Sequence, residues 1–399
     1  MATVAVSPAG LAATSYPAAS HAAASHAAAS HLASHTAASA AACKPGPQPP
    51  KAGASSGLNG VGVVSSCSVW AVGFRTVGTV QRTLIEYWNG KHWAPVKSPN
   101  PGTGTTSDSL NAITVISKND AWAVGDVINA NKVYWSTLIL HWNGKSWKTV
   151  PSPNPGGPFA TNALTAISAV SATNIWAAGY FIYGKYQTAI LHWTGTKWKT
   201  VPTPNKAGAS NGSSLYAIAA TSRSLAWASG YACSTSACLP VLLRWNGKKW
   251  SLTASASVPG MLDEYLDGLS APSSNSAWLV GSVTTSKGDS ALIEHWNGHK
   301  WLQKPVQVPP LGASYLYAVR TFSGHSAVAV GYSQNGLEAP LIETWNGVRW
   351  SMVRGIIDPF GSSLDYNLFA VGGTACSNAW AVGSAFVTTA AKRPLALHC

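Results

Sequence analysis

Asp263-Glu264-Tyr265-Leu266-Asp267 is the stretch in which the few carboxylates of this chain gather. Two carboxyl groups beside an aromatic ring are the minimal equipment for cleaving a glycosidic bond. One protonates the leaving oxygen while the other attacks the sugar or activates water. The same residues could equally hold a sugar or a cation, or form a solvated loop leading into a strand. A second set is aromatic: Tyr134, Trp135, Tyr183 and Tyr186, with Phe159, Tyr180, Phe181 and Tyr231 nearby in sequence. Such rings can stack on the apolar faces of sugars while neighbouring Asn, Asp and Lys bond the hydroxyls. Packing of long loops would account for them as well. Phosphate loops, dinucleotide fingerprints, His-Glu-x-x-His, Gly-x-Ser-x-Gly and calcium loops are absent from the sequence, so no cofactor or metal is expected.

What must position these residues is a repeat. Trp-Ala-Val-Gly or a close variant begins at Trp70, Trp122, Trp176, Trp227, Trp278, Val328 and Trp380, at spacings of 50 to 54 residues. Trp-(Asn/Thr)-Gly-x-x-Trp begins at Trp88, Trp142, Trp193, Trp245, Trp296 and Trp345. The two signatures contain 18 of the 19 tryptophans, leaving only Trp135. Each copy reads as four short strands: one beginning at a Leu, one at Trp-Ala-Val-Gly, an apolar third, and a fourth after the Asn-Gly turn. Asn-Gly tolerates the positive φ of a tight hairpin, and the prolines after each fourth strand cannot extend a ladder. Four antiparallel strands in about 50 residues describe a blade of a β-propeller, so the fold is expected to be an all-β, seven-bladed ring over residues 41–399.

Within the repeat, the distance from the first-strand Leu to the Trp-Ala-Val-Gly position is 12 residues in all seven copies. The hairpin tryptophans are always 5 apart, whereas the second-to-third and fourth-to-first connections vary. The two variable connections fall on one face of an antiparallel blade, and that is where binding residues are expected. His141, His192, His295 and His398 precede the repeat tryptophan or its equivalent and therefore read as scaffold. So do Glu86, Glu294 and Glu343, which share one third-strand position. Lys91, Lys145, Lys197, Lys248, Lys300 and Arg349 recur near the hairpin turns and give the opposite face a basic rim.

The last copy stops at its third strand, Leu395-Ala396-Leu397-His398-Cys399. Cys43-Lys44-Pro45-Gly46-Pro47-Gln48-Pro49 aligns with Thr149–Pro155, so the N-terminal segment is expected to supply the missing strand and close the ring. Six cysteines suit three disulfides in an oxidising compartment. The spacing suggests Cys233–Cys238, Cys67–Cys376 and Cys43–Cys399, among fifteen possible connectivities. Residues 1–40 are an Ala/Ser/His-rich tract read as a disordered spacer. Its start is similar to the remnant of a signal peptide, and the evenly spaced His21, His26, His31 and His35 do not stack on one helical face.

Lys and Arg number 26 and Asp and Glu 13, a net charge of +13, yet only 10% of residues are charged. The excess is spread thinly, where a nucleic-acid footprint would be concentrated, so no nucleic acid is expected and anionic surfaces in general are favoured. No apolar run reaches the roughly 18 residues of a membrane-spanning helix.

The two Trp motifs, with Ser98-Pro99-Asn100-Pro101 and Ser152-Pro153-Asn154-Pro155 between copies, resemble secreted actinobacterial-type propellers, loosely grouped with kelch and galactose-oxidase-like propellers. Asn-Gly-x-x-Trp also resembles half of the Asp-box hairpin of sialidases, although only Arg320 in the first strands could serve the arginine triad that such an activity implies. The resemblance implies architecture and carries no activity. The expectation is a secreted or cell-surface, monomeric, non-catalytic binding or structural propeller contacting glycans or surface proteins through Trp135, Tyr134, Tyr183, Tyr186 and Tyr265. The alternative is an extracellular glycan-active enzyme using Asp263, Glu264 and Asp267.

Overall fold

A computed structural model describes residues 44–45, 47–102, 106–128, 133–309, 312–356, 359–360, 365–388 and 391–398. The spacer expected over 1–40 and the expected Cys43–Cys399 bridge lie outside them. The described chain is all β, built of four-stranded antiparallel sheets in a propeller-like arrangement. Repeat two is representative, with strands Asp108–Ser117, Asp120–Ile128, Trp135–Trp142 and Trp147–Thr149 paired in that order. Repeats three and four are joined into one eight-stranded sheet by a parallel bridge between Tyr186 and Gly212.

The first strands are Ser56–Ser65, Asp108–Ser117, Thr161–Ser171, Gly212–Ser222, Met261–Ser273, Ala313–Ser323 and Asp365–Ala375. Each packs against the next, and the last of them packs against Ser56–Ser65. The strand Lys44–Pro45 pairs with the final strand Ala391–His398, Lys44 opposite His398 and Pro45 opposite Leu397. Gln48 adds a side-chain clamp on that final strand: its amide donates to Ala396 O at 2.7 Å and accepts from Ala396 N at 3.0 Å.

The tryptophans build the core between sheets. Each second-strand Trp is gripped by the hairpin pair of the following repeat: Trp122 by Trp193 and Trp198, Trp176 by Trp245 and Trp250. Offset and edge-on ring pairs of this kind add about 0.5–1.5 kcal/mol beyond their buried area. Val328, the repeat-six substitute for tryptophan, precedes the one repeat in which His398 is followed by Cys399 and not by tryptophan. His141, His192, His295 and His398 stack on the second-strand Trp of their own repeats, which makes them scaffold.

Glycine of Trp-Ala-Val-Gly is required by close approach. A Cβ on Gly125 would sit 2.0 Å from the carbonyl oxygen of Ser109, so the first and second strands could not pair at that point. Gly144 is needed for a different reason, a φ of +88° in the hairpin turn. The Ser-Pro-Asn-Pro segments fold back on the third strand of their own repeat. Asn100 Oδ1 accepts from Thr83 N at 2.8 Å while Ser98 and Thr83 hydroxyls meet at 2.6 Å, and Asn154 and Ser152 do the same for Thr137.

Cys233 and Cys238 are joined in a disulfide. The expected Cys67–Cys376 bridge is absent: both thiols are free. The reason is direction. The Cys67 side chain lies over Gly90 of its own hairpin, while the Cys376 thiol turns toward Ser326 in repeat six, away from repeat one. No helix among the described residues is long and apolar enough to cross a membrane.

Candidate functional site

Every first strand carries a β-bulge just after its leucine. Pairing with the second strand shifts between Leu58 and Gly60, Leu110 and Ala112, Leu164 and Ala166, Leu215 and Ala217, Leu266 and Gly268, Leu316 and Ala318, and Leu368 and Ala370. A bulge leaves one residue outside the ladder and re-aims its side chain. The residues so placed are Asn59, Asn111, Thr165, Tyr216, Asp267, Tyr317 and Phe369. They form one tier at the inner edge of the sheets, near the end that carries the variable connections.

The tier has two halves. In repeats one to three it is a hydrogen-bond belt. Asn59 Nδ2 donates to Leu110 O at 2.9 Å, Asn111 Nδ2 to Leu164 O at 2.9 Å, and Thr165 Oγ1 to Leu215 O at 2.8 Å. These bonds satisfy carbonyls on the inner strand edges, which have no further strand to pair with. Asn111 also donates to Asp126 Oδ1 at 3.0 Å, and Ser109 donates to the same carboxylate. Burial pushes Asp126 up to about 6 despite these bonds.

In repeats four to six the belt gives way to tyrosines around one carboxylate. Tyr216 stacks on Tyr231 at 4.8 Å, and the Tyr231 hydroxyl donates to that of Tyr216 at 2.9 Å. Tyr265 meets Tyr231 edge-on at 4.8 Å, and Tyr180 links Tyr186 to Tyr216. On the other side of Asp267, Tyr317 lies 5.7 Å from Tyr332 and 5.9 Å from Phe369. Tyr332 stacks on Tyr315, whose hydroxyl donates to Asp289 Oδ2 at 2.5 Å. Burial, and after it the neighbouring charges, hold these phenols in the protonated form. Tyr216 is pushed up to about 12, and Tyr231, Tyr317 and Tyr332 are also raised. The Asp267 charge acts on all four, Tyr216 and Tyr231 from repeat four and Tyr317 and Tyr332 from repeat six. Asp267 therefore sits among rings contributed by three consecutive repeats. At neutral pH the phenols are protonated; Tyr216, Tyr231 and Tyr332 are half-buried, and Tyr317 is buried.

The residues singled out from sequence are dispersed. Tyr265 and Asp267 belong to the cluster, and Tyr186 joins it through Tyr180. Tyr134 packs edge-on against Phe159 at 6.3 Å in a separate patch, and the backbone of Trp135 accepts from Asn162. Tyr183 is 67% exposed on a hairpin tip. Asp263 and Glu264 are adjacent in the strand Met261–Ser273. Adjacent residues of a strand point to opposite faces. Asp263 Oδ1 accepts from Cys238 N at 2.6 Å and anchors the disulfide loop. Glu264 is buried near Ser255, Lys206 and Glu294, and burial raises it to about 7. Sequence reasoning missed Tyr216, Tyr317, Tyr332, Asn59 and Asn111 as a group. Except for Tyr332, which lies in a second strand, their common signal was the position after the first-strand leucine, the variable column beside an invariant one.

No protein-family model matches the chain, and no curated protein matches it. Among solved structures the chain is similar to the WD40 β-propeller domain of Doa1, at 11% identity over 90% of this chain and 97% of that one, with a TM-score of 0.54. It is also similar to an ulvan lyase from a new family of polysaccharide lyase, at 10% identity over 89% and 94% of the two chains, with a TM-score of 0.55. YCF48 from Cyanidioschyzon merolae matches at 14% identity over 90% and 98%, with a TM-score of 0.51. At these identities the likeness is one of fold, that of β-propellers.

Proposed function

We propose that the chain is an exported, non-catalytic binding propeller whose tyrosine-lined tier takes a neutral glycan. The observation that carries the reading is Asp267 set among Tyr216, Tyr231, Tyr317 and Tyr332. The half-buried rings of Tyr216, Tyr231 and Tyr332 suit the C–H faces of a pyranose, while neutral phenols around the buried Asp267 suit its hydroxyls. Asp289 and Glu338 act on Tyr315 and Tyr332 beside Asp267 and disfavour an acidic sugar. Against the glycosidase alternative, which would use Asp263, Glu264 and Asp267, stand the opposite directions of Asp263 and Glu264 and the bond from Cys238 N to Asp263.

The site presumes a ring of seven blades over residues 41–399, the last completed by the N-terminal segment. The pairing of Lys44 with His398, the Gln48 clamp on Ala396 and the packing of the last first strand against the first support it. Export is supported by the Cys233–Cys238 disulfide, a bond that persists in oxidising compartments. Residues 1–40 would then be a spacer preceding the ring.

A glycan array combined with a hydrolysis screen tests the reading. Saturable binding of a neutral glycan without turnover, lost in Tyr216→Ala and Tyr317→Ala, is expected. Turnover abolished by Asp263→Asn or Glu264→Gln would overturn it.

A further inference from the structure

The end of the molecule opposite the tyrosine tier has its own chemistry. It is formed by the first-to-second-strand turns and the third-to-fourth-strand hairpins, which are locked together. The hairpin tryptophans Trp142 and Trp245 donate through Nε1 to Lys118 O and Arg223 O, each at 3.1 Å, and four other repeats make the same bond. In repeat two Asn143 Oδ1 accepts from the backbone of Lys145 and Ser146, and in repeat four Asn246 Oδ1 accepts from Lys248 and Lys249. The backbone of each turn is thus fixed, while its cation stands exposed.

We propose that this face is a docking surface for an anionic polysaccharide. Lys91, Lys145, Lys197, Lys248, Lys300 and Arg349 supply an exposed cation on each hairpin, Lys249 adds a second in repeat four, and Lys118 and Arg223 add to them from the adjoining turns. Among the described residues the carboxylate on these turns is Asp120, which lies 2.9 Å from His141 Nε2. Most other exposed or half-exposed acids, among them Asp289, Glu338 and Asp365, lie at the opposite end. This end is therefore strongly cationic, whereas the opposite end mixes its acids with Lys185, Lys206, Lys287 and Lys392. Charge complementarity selects a polyanion. The hairpins carry no Tyr, Phe or Trp between their paired tryptophans and offer an unpaired base only the imidazoles of His92 and His299. Apart from the Lys248–Lys249 pair the cations stand singly, mostly as lysine ammonium groups, which act as point charges and not as planar forks. That pattern suits a polymer whose charges are spaced one per sugar.

The test is biolayer interferometry of the full chain on immobilised polygalacturonate at 50 mM and 300 mM NaCl. Saturable binding at 50 mM, weakened at least tenfold at 300 mM, is expected, since the screening length shortens from more than about 10 Å to less than about 8 Å over that range. K145E/K197E/K248E should weaken binding at least tenfold and K145Q/K197Q/K248Q less, with both melting within 2 °C of the parent. K185E/K287E, at the opposite end, should change it less than twofold. Absence of binding at 50 mM would overturn the proposal, as would equal losses from the two faces. So would a DNA duplex that binds more tightly through the same three lysines.

Discussion

Trp380, in the second strand of the last repeat, lies edge-on against Trp93 of the first, with ring centroids 5.2 Å apart and planes at 88°. Trp88 completes the grip at 5.3 Å. This is the arrangement that Trp122 makes with Trp193 and Trp198 within the chain, now made between residues 287 positions apart in sequence. Removing either ring from such a core costs about 3–5 kcal/mol. Trp93→Ala and Trp380→Ala should each lower the urea midpoint strongly. The double variant should lose less than the sum, by about 0.5–1.5 kcal/mol, because the rings share one contact. Strict additivity would show that the first and last repeats do not meet in solution.

Buried glutamates make stability depend on pH. Burial pushes Glu86 up to about 7 and Glu294 and Glu343 up to about 8, from an ordinary 4.5. The folded state holds these protons where the unfolded chain has released them, so stability is present below about 4.5 and falls as pH rises through 7 to 8. Thermal melts should show a higher Tm at pH 5.5 than at pH 8.5. The same strand position is Leu in Leu140, Leu191, Leu243 and Leu397. Glu343→Leu should accordingly raise Tm at pH 8.5 and flatten the profile. An unchanged profile would mean the carboxyl reaches water.

Asp263 is a loop anchor. Asp263→Ala removes the acceptor for Cys238 N and should cost about 1–2 kcal/mol, the price of a charge-assisted bond. Amide exchange over Ser234–Cys238 should rise selectively. Unchanged exchange in that loop would contradict the anchoring role.

Gly125→Ala should prevent soluble expression or cost well over 2 kcal/mol, because the new Cβ meets the Ser109 carbonyl at 2.0 Å. Gly78→Ala, with open space around its Cβ but a φ of +62°, should cost only about 1 kcal/mol. Equal costs for the two would mean that strand contact is not what demands the first glycine.

The repeat was legible because one interaction recurs. A Trp pair gripping the next Trp leaves the same letters every 50 residues or so, and the Trp-to-Val change at 328 is readable in the same terms. The tyrosine tier was not legible, because a bulge has no side-chain signature. Counting alternation along Met261–Ser273 gives no warning that Asp267 leaves the ladder while Glu264 stays buried between sheets. Similarly, Cys67 and Cys376 hold equivalent turn positions, but equivalence of position does not make two thiols face each other.

The most direct measurement is titration calorimetry with whichever neutral glycan the array selects, comparing Tyr216→Ala, Tyr317→Ala and Tyr183→Ala. Aromatic recognition at the inner tier predicts at least a tenfold loss for the first two and less than a twofold change for Tyr183→Ala. A loss confined to Tyr183→Ala would place binding on the outer loops and contradict the account.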